Sequence, residues 1–337
     1  MRSLTLGLMV TLAAAGAGRA DTITLNMVPV GNPGNAADGS TGYGAVGYAY
    51  QIGAYDVTLS QYTAFLNAVA KTDTYGLYSS NIATDFSTQG ISRSGSSGSY
   101  SYSVIGSNPQ AANCPAFDVT WGDAARFCNW LQNGQPTSGS EGTGTTETGA
   151  YTLNGATSQA ALMAVTRNAG ASYFIPTENE WYKAAYYDPT LNGGAGGYWT
   201  YATKSNTAPS NVLSATGTNN ANYYNGGYTD ATNFLTPVGS FAASPSAYGT
   251  FDQSGDVWDW NEANISGSFR GLRGGSWGYS AGLLASSYRL DSGTPSDEYG
   301  LIGFRVAESE AVPEPGSMAM LLAGAVAFGI WRLRRNA

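Results

Sequence analysis

Asp252-Gln-Ser-Gly-Asp-Val-Trp-Asp-Trp260 sets three carboxylates within eight residues, around Gly255, and ends on two tryptophans. Carboxylates and main-chain carbonyls of a flexible loop are the hard oxygen donors that calcium prefers. Downstream come Arg273-Gly-Gly-Ser-Trp277 and Gly303-Phe-Arg-Val306. Short strands are expected at 271–274 and 303–307, and upstream at 49–55.

Three earlier blocks open alike. Thr58-Leu-Ser-Gln61, Thr120-Trp-Gly-Asp123 and Thr177-Glu-Asn-Glu180 each put Thr at a helix start, with a side chain three residues on that reaches back. Asp123 is the shorter version of the usual Glu or Gln. Apolar residues then recur at Leu59, Tyr62, Leu66 and Val69, at Ala124, Phe127, Cys128 and Leu131, and at Trp181, Ala184 and Ala185. These spacings predict short helices. Between them, 31–47, 72–113, 133–158 and 192–220 read as loops rich in Gly, Ser, Thr and Asn. The sum is an α+β domain with long loops and little regular structure.

The composition narrows the chemistry. The chain has 337 residues, 45 of them Gly, and no His. Without His there is no imidazole catalyst, no Ser-His-Asp triad and no His-held metal. Only 11% of residues are charged, against about 25% in an ordinary domain. The net charge of -8 and a pI near 4.5 argue against nucleic acid. Aliphatic residues are scarce, but 23 Tyr, 11 Phe and 8 Trp supply buried area and argue against disorder. Two cysteines, Cys114 and Cys128, are too few for a four-ligand zinc site. In exported sequence they are either bridged or two buried thiols.

Both ends read as addresses. Residues 1–20 carry Arg2, an apolar stretch and Gly18-Arg-Ala20, a secretory signal with a small-x-small cleavage site. At the other end, Val312-Pro-Glu-Pro-Gly-Ser317 precedes an apolar run from Met318 to Trp331 and then Arg332, Arg334 and Arg335. Fourteen apolar residues fall short of the roughly 20 that span a bilayer comfortably. This tail, 312–337, closely resembles the PEP-CTERM sorting signal of Gram-negative bacteria. The resemblance implies a short transmembrane helix, processing by an exosortase-type enzyme, and release to the cell surface or extracellular matrix. The ends hold five of the 15 basic residues, so the stretch from Asp21 to Glu314 carries 10 basic and 23 acidic residues, a net charge of -13.

The order of blocks is itself informative. Asp56-Val-Thr58, Pro115-Ala-Phe-Asp-Val-Thr-Trp121, Phe127-Cys-Asn-Trp130, Ile175-Pro-Thr-Glu-Asn-Glu-Trp181, the acidic turn, the Arg273 motif and the Arg305 motif follow one another. The series resembles the formylglycine-generating enzyme, or sulfatase-modifying factor, family over residues 45–307, behind an exposed segment at 21–44. That resemblance implies an α+β domain related to the C-type lectin fold.

It also implies a copper-binding Cys pair shortly after the Arg-Gly-Gly-Ser-aromatic motif, with which the family oxidises a sulfatase cysteine. The segment 277–289 contains no Cys. Copper is therefore not expected, because Ser and Tyr do not replace thiolates toward a soft metal. A sister branch holds iron through His, which this chain lacks. The family's calcium positions fall on Asp252, Gly255, Val257 and Asp259. A second set falls on Asn222, Tyr223, Asp230 and Thr232. Glu178 and Glu180 resemble an acid–base pair, but Glu180 reads better as a helix cap. The tryptophans read as core, and Arg273 and Arg305 as structural.

No catalytic residue is assigned. The expectation is an exported, non-catalytic binding or structural module, stabilised by calcium, with a surface polysaccharide or matrix protein as partner. It would touch the membrane only through the tail before processing. The alternative is an oxidase of protein cysteine that uses other residues.

Overall fold

The computed structural model describes residues 22–310. The signal expected at 1–20 and the tail at 312–337, where the short transmembrane helix is expected, lie outside the described residues. Among the described residues no helix is long and apolar enough to cross a membrane.

The strands are β1 (Met27–Val30), β2 (Tyr50–Gly53), β3 (Gly90–Ser94), β4 (Ser101–Ile105), β5 (Tyr173–Phe174), β6 (Tyr187–Asp188), β7 (Gly197–Tyr198), β8 (Trp258–Ile265), β9 (Phe269–Arg273), β10 (Leu290–Gly293), β11 (Ile302–Gly303) and β12 (Ala307–Ser309). The helices are α1 (Leu59–Val69), α2 (Trp121–Gln132), α3 (Gln159–Met163) and α4 (Glu178–Tyr186). One sheet has the order β1-β2-β12-β5 and is antiparallel throughout. It pairs the start of the domain with its end, Ile52 facing Ala307. The other runs β10-β9-β8-β11, with β11 parallel to β8 and Ile302 facing Trp258. Strands and helices are short, and most of the chain is irregular.

All three expected helix starts carry complete capping boxes. The Thr58, Thr120 and Thr177 side chains accept from the third residue's N–H, and Gln61, Asp123 and Glu180 accept in return. The short Asp123 closes its box as fully as the longer side chains, with Thr120 N donating to Oδ2 at 3.0 Å. The apolar face of α1 meets α2 through aromatic rings. Phe127 lies 5.3 Å from both Phe65 and Phe304, centroid to centroid.

On α2 burial continues round the polar side as well. Asn129 there donates to the carbonyls of Thr146 and Tyr151, and Arg126 pairs with Glu147 at 2.7 Å. The loop 133–158 is thus wrapped on the helix by buried polar side chains, each satisfied as burial requires.

Two expectations need correction, at 72–113 and 303–307. The segment 22–44, expected to be exposed, is largely so. It contributes β1, and Lys183 of α4 donates to Asn32 O at 2.9 Å while Gly44 N donates to Asn179 at 3.0 Å. The stretch 72–113 contains the β3–β4 hairpin, because Ser and Tyr alternate at 99–103 with the period of a strand. The strand expected at 303–307 is split, with 304–306 irregular between β11 and β12. Of the two states left open for Cys114 and Cys128, the structure shows the second: both are buried, free thiols. Cys114 Sγ turns to the carbonyl of Gln110, 3.7 Å away in its own turn, while Cys128 packs into the core from α2.

Candidate functional site

The acidic turn enters β8 through three backbone positions of positive φ. Asp252 lies at 62°, Gly255 at 97° and Asp256 at 60°. Asp tolerates this region better than most residues, and Gly without strain. Gly255 has a further reason: a Cβ there would fall 2.1 Å from the carbonyl oxygen of Asn222. Its N–H donates to Gly274 O at 2.9 Å, and Trp277 N donates to Asp256 O at 2.9 Å. The Arg273-Gly-Gly-Ser-Trp277 motif therefore braces the acidic turn from below.

Arg305 is the cation that this turn faces. Its Nε donates to Asp259 Oδ2 at 2.7 Å, its Nη2 to Asp56 and to Phe251 O at 3.0 Å, and its Nη1 to Gly53 O at 3.1 Å. Asp259 Oδ2 also accepts from Trp181 Nε1 at 2.8 Å. Asp56, Asp259 and Arg305 are all buried. Burial opposes the charge on Arg305, but Asp259 and Asp56 more than offset this and hold its pKa above the ordinary value.

The remaining carboxylates have no cation of their own. Asp256 accepts from Asn222 Nδ2 at 2.9 Å, Thr236 N at 3.2 Å and Thr236 Oγ1 at 2.8 Å. Burial and then the charge of Asp252 push Asp256 up to about 8. Asp252 accepts from Gly239 N at 2.6 Å. Burial raises it to about 6 against that bond and the Arg305 charge. Asp56 Oδ2, Asp259 Oδ1 and Asn222 Oδ1 are buried with no partner among the described residues.

Asp252, Gly255, Val257 and Asp259 lie in or beside this turn, and Asp56 and Arg305 come to it from elsewhere in the chain. Asn222 joins it through Asp256, donating from Nδ2 to its carboxylate and accepting its N–H. Asp230 is placed otherwise: its oxygens accept from Thr232 N, Asn233 N and Asn233 Nδ2 at 2.7–3.0 Å, within its own turn. No group of three or more Cys, Asp or Glu side chains among the described residues is arranged to hold an ion unaided. A cation at this turn needs carbonyl oxygens too, a mixture that suits calcium.

Glu178 and Glu180 are both occupied. Glu178 Oε1 accepts from Arg273 at 2.9 and 2.6 Å, and Oε2 pairs with Arg289 at 3.2 Å. Glu180 caps α4 and pairs with Arg167 at 2.9 Å. Burial works to raise Glu180, and the bonds and charge of Arg167 overcome it, leaving the carboxyl below its usual range. Arg273 and Arg305 have the structural role expected of them, and five of the core tryptophans are essentially inaccessible.

Beside the acidic turn lies a half-open pocket of about 280 Å³. Trp258, Tyr279, Leu290, Ser292, Asp297 and Tyr299 are among its walls. Tyr279 belongs to the segment 277–289, and Tyr288 of the same segment packs 5.9 Å from Trp258. Sequence reasoning missed this pocket. Trp258 and the segment were each singled out, but only the β8–β11 pairing brings 299–302 against them.

Residues 38–310 match the sulfatase-modifying factor enzyme 1-like domain, and the chain belongs to that family. Residues 311–335 match the PEP-CTERM protein-sorting motif, which marks the chain for export and surface sorting in Gram-negative bacteria, through recognition by an exosortase-type enzyme. The hercynine oxygenases of Mycolicibacterium smegmatis and Mycolicibacterium thermoresistibile are 32% and 30% identical to the chain over 138 residues. The alignments cover 34% of this chain and 28% and 27% of theirs, so the chain spans little more than a quarter of those relatives. The crystal structure of CarF superposes with a TM-score of 0.54 at 23% identity, over 86% of this chain and 99% of CarF. That likeness establishes the shared fold.

The raised carboxylates fix a pH dependence. Asp252 and Asp256 hold protons more tightly in the folded protein than at the ordinary value of 3.8. Asp118, Asp123 and Glu141, each raised to about 7 chiefly by burial, act in the same direction. The stabilisation is complete below about pH 4 and is lost as pH rises through the folded values toward 8. In chelator, the melting temperature should fall between pH 5 and pH 8; a flat or rising profile contradicts this assignment.

Proposed function

We propose that the protein is a surface-displayed, non-catalytic binding module with calcium at its acidic turn. The observation that carries this reading is the pocket beside segment 277–289. Family resemblance puts a reactive thiol pair in that segment; here Tyr279 and Tyr288 stand with Trp258 instead. The chain's two thiols lie in the core, and burial pushes both well above the ordinary value, away from the thiolate that copper requires. In the same proposal, residues 1–20 direct export, and the tail 312–337 holds the chain in the inner membrane until it is processed. The relation to the C-type lectin fold belongs here too, since loops on a rigid scaffold are where binding residues gather.

Calcium would be held by the Asp252 and Asp259 carboxylates with the carbonyls of Gly255 and Val257. The orphaned Asp259 Oδ1 supports this, being an acceptor without a donor. Asn222 retains a buried free acceptor and extends the set, whereas the carboxylate of Asp230 is turned to its own loop and is left out. Calcium returned to chelator-treated protein should raise its stability by about 2.7 kcal/mol at a hundredfold excess over Kd. A melting temperature that ignores both chelator and calcium removes the ion from the account.

A second reading, an oxidase of protein cysteine acting through other residues, draws on the oxygenase name of the two curated relatives. The two readings separate in an oxygen electrode. Given copper and a Cys-bearing sulfatase peptide, the protein should consume oxygen at the blank rate. Turnover above the blank overturns the binding-module reading.

A further inference from the structure

We propose that the pocket bordered by Tyr279 and Tyr299 binds one pyranose ring of a neutral polysaccharide, and that Tyr224 and Tyr228 carry the sugars beside it. This rests on the binding-module reading and adds the chemistry of the ligand. Seven large hydrophobic side chains stand exposed among the described residues, and four of them are these tyrosines: Tyr224 at 39%, Tyr228 at 43%, Tyr279 at 40% and Tyr299 at 57%. They form one strip. Tyr224 N donates to Tyr279 O at 3.0 Å, and the Tyr224 and Tyr228 rings lie 5.1 Å apart. Tyr228 lies 5.6 Å from Trp277, and Tyr279 lies 5.9 Å from Trp258 at the pocket floor. Such a concentration of exposed aromatic surface marks a contact site.

The ligand class follows from three properties of the site. Tyr and Trp present a broad apolar face with a polar tip and few rotatable bonds. A pyranose ring is the complement, with a face of C–H bonds and a rim of hydroxyls. Its volume of about 280 Å³ lies just under the ~300–1,000 Å³ of sites for drug-sized molecules, enough for one ring. Charge excludes acidic sugars. Lys and Arg are absent from the lining, and its one carboxylate, Asp297, already accepts from Thr294 N at 2.8 Å and from Thr294 Oγ1.

Affinity electrophoresis of the full chain tests the proposal, with dextran, a galactomannan and a xylan as neutral probes and alginate as the anionic one. At least one neutral polymer should retard the protein and alginate should not. Tyr279→Ala and Tyr299→Ala should each weaken retardation by about tenfold. Both rings are exposed, so an unchanged melting temperature shows that the variants remain folded. Retardation by alginate alone, by none of the polymers, or equally in both variants overturns the proposal. If no neutral polymer binds but Tyr299→Ala abolishes cross-linking to a matrix protein, the sugar assignment fails and the binding-module reading stands.

Discussion

Arg305 joins parts of the chain that are far apart in sequence. Its guanidinium reaches Asp56 before α1, Gly53 at the end of β2, Phe251 before the acidic turn and Asp259 in β8. Asp259 in turn accepts from Trp181 of α4. One buried side chain therefore ties both sheets, the start of α1 and α4 into a single frame. In a fold with so little regular structure, this takes the place of long ladders of backbone bonds. The same economy appears at Arg126, Arg167 and Arg273, each of which fixes a loop or helix by several buried bonds. Low overall charge and well-partnered buried arginines are two sides of one arrangement: the few charged residues are concentrated where they hold loops.

What could be read from the sequence was local. Thr58, Thr120 and Thr177 announced their helices because a capping box involves four consecutive residues. The carboxylates around Gly255 were visible for the same reason. The partnership of Asp56 with Arg305 spans 249 positions and leaves no local mark. Each was noticed within its own motif, but nothing in either motif names the other. The hairpin at 90–105 was legible in principle: Ser-Tyr-Ser-Tyr alternates with period two, but its small polar residues masked the pattern. For Cys114 and Cys128 the sequence left a bridge and two buried thiols open, since an oxidising compartment permits a disulfide without bringing two thiols together.

The functional reading depends on what the frame leaves uncovered. The arginines of the core are bonded to backbone and to carboxylates, whereas the tyrosines of one edge are exposed. At the same edge the segment after Trp277 carries aromatic and aliphatic side chains and no Cys. The frame thus keeps the family's scaffold, Arg273 and Arg305 included, while the chemistry at its mouth differs. The sorting motif marks the chain that carries it for export to the surface.

The central claim is that Arg305 holds the frame together, and Arg305→Met tests it most directly in urea unfolding at pH 7. Removing one partner of a buried ion pair leaves uncompensated charge and costs about 3–5 kcal/mol. With both Asp56 and Asp259 left facing each other, the loss should reach at least that range. A variant that unfolds within about 1 kcal/mol of the parent protein would contradict the account.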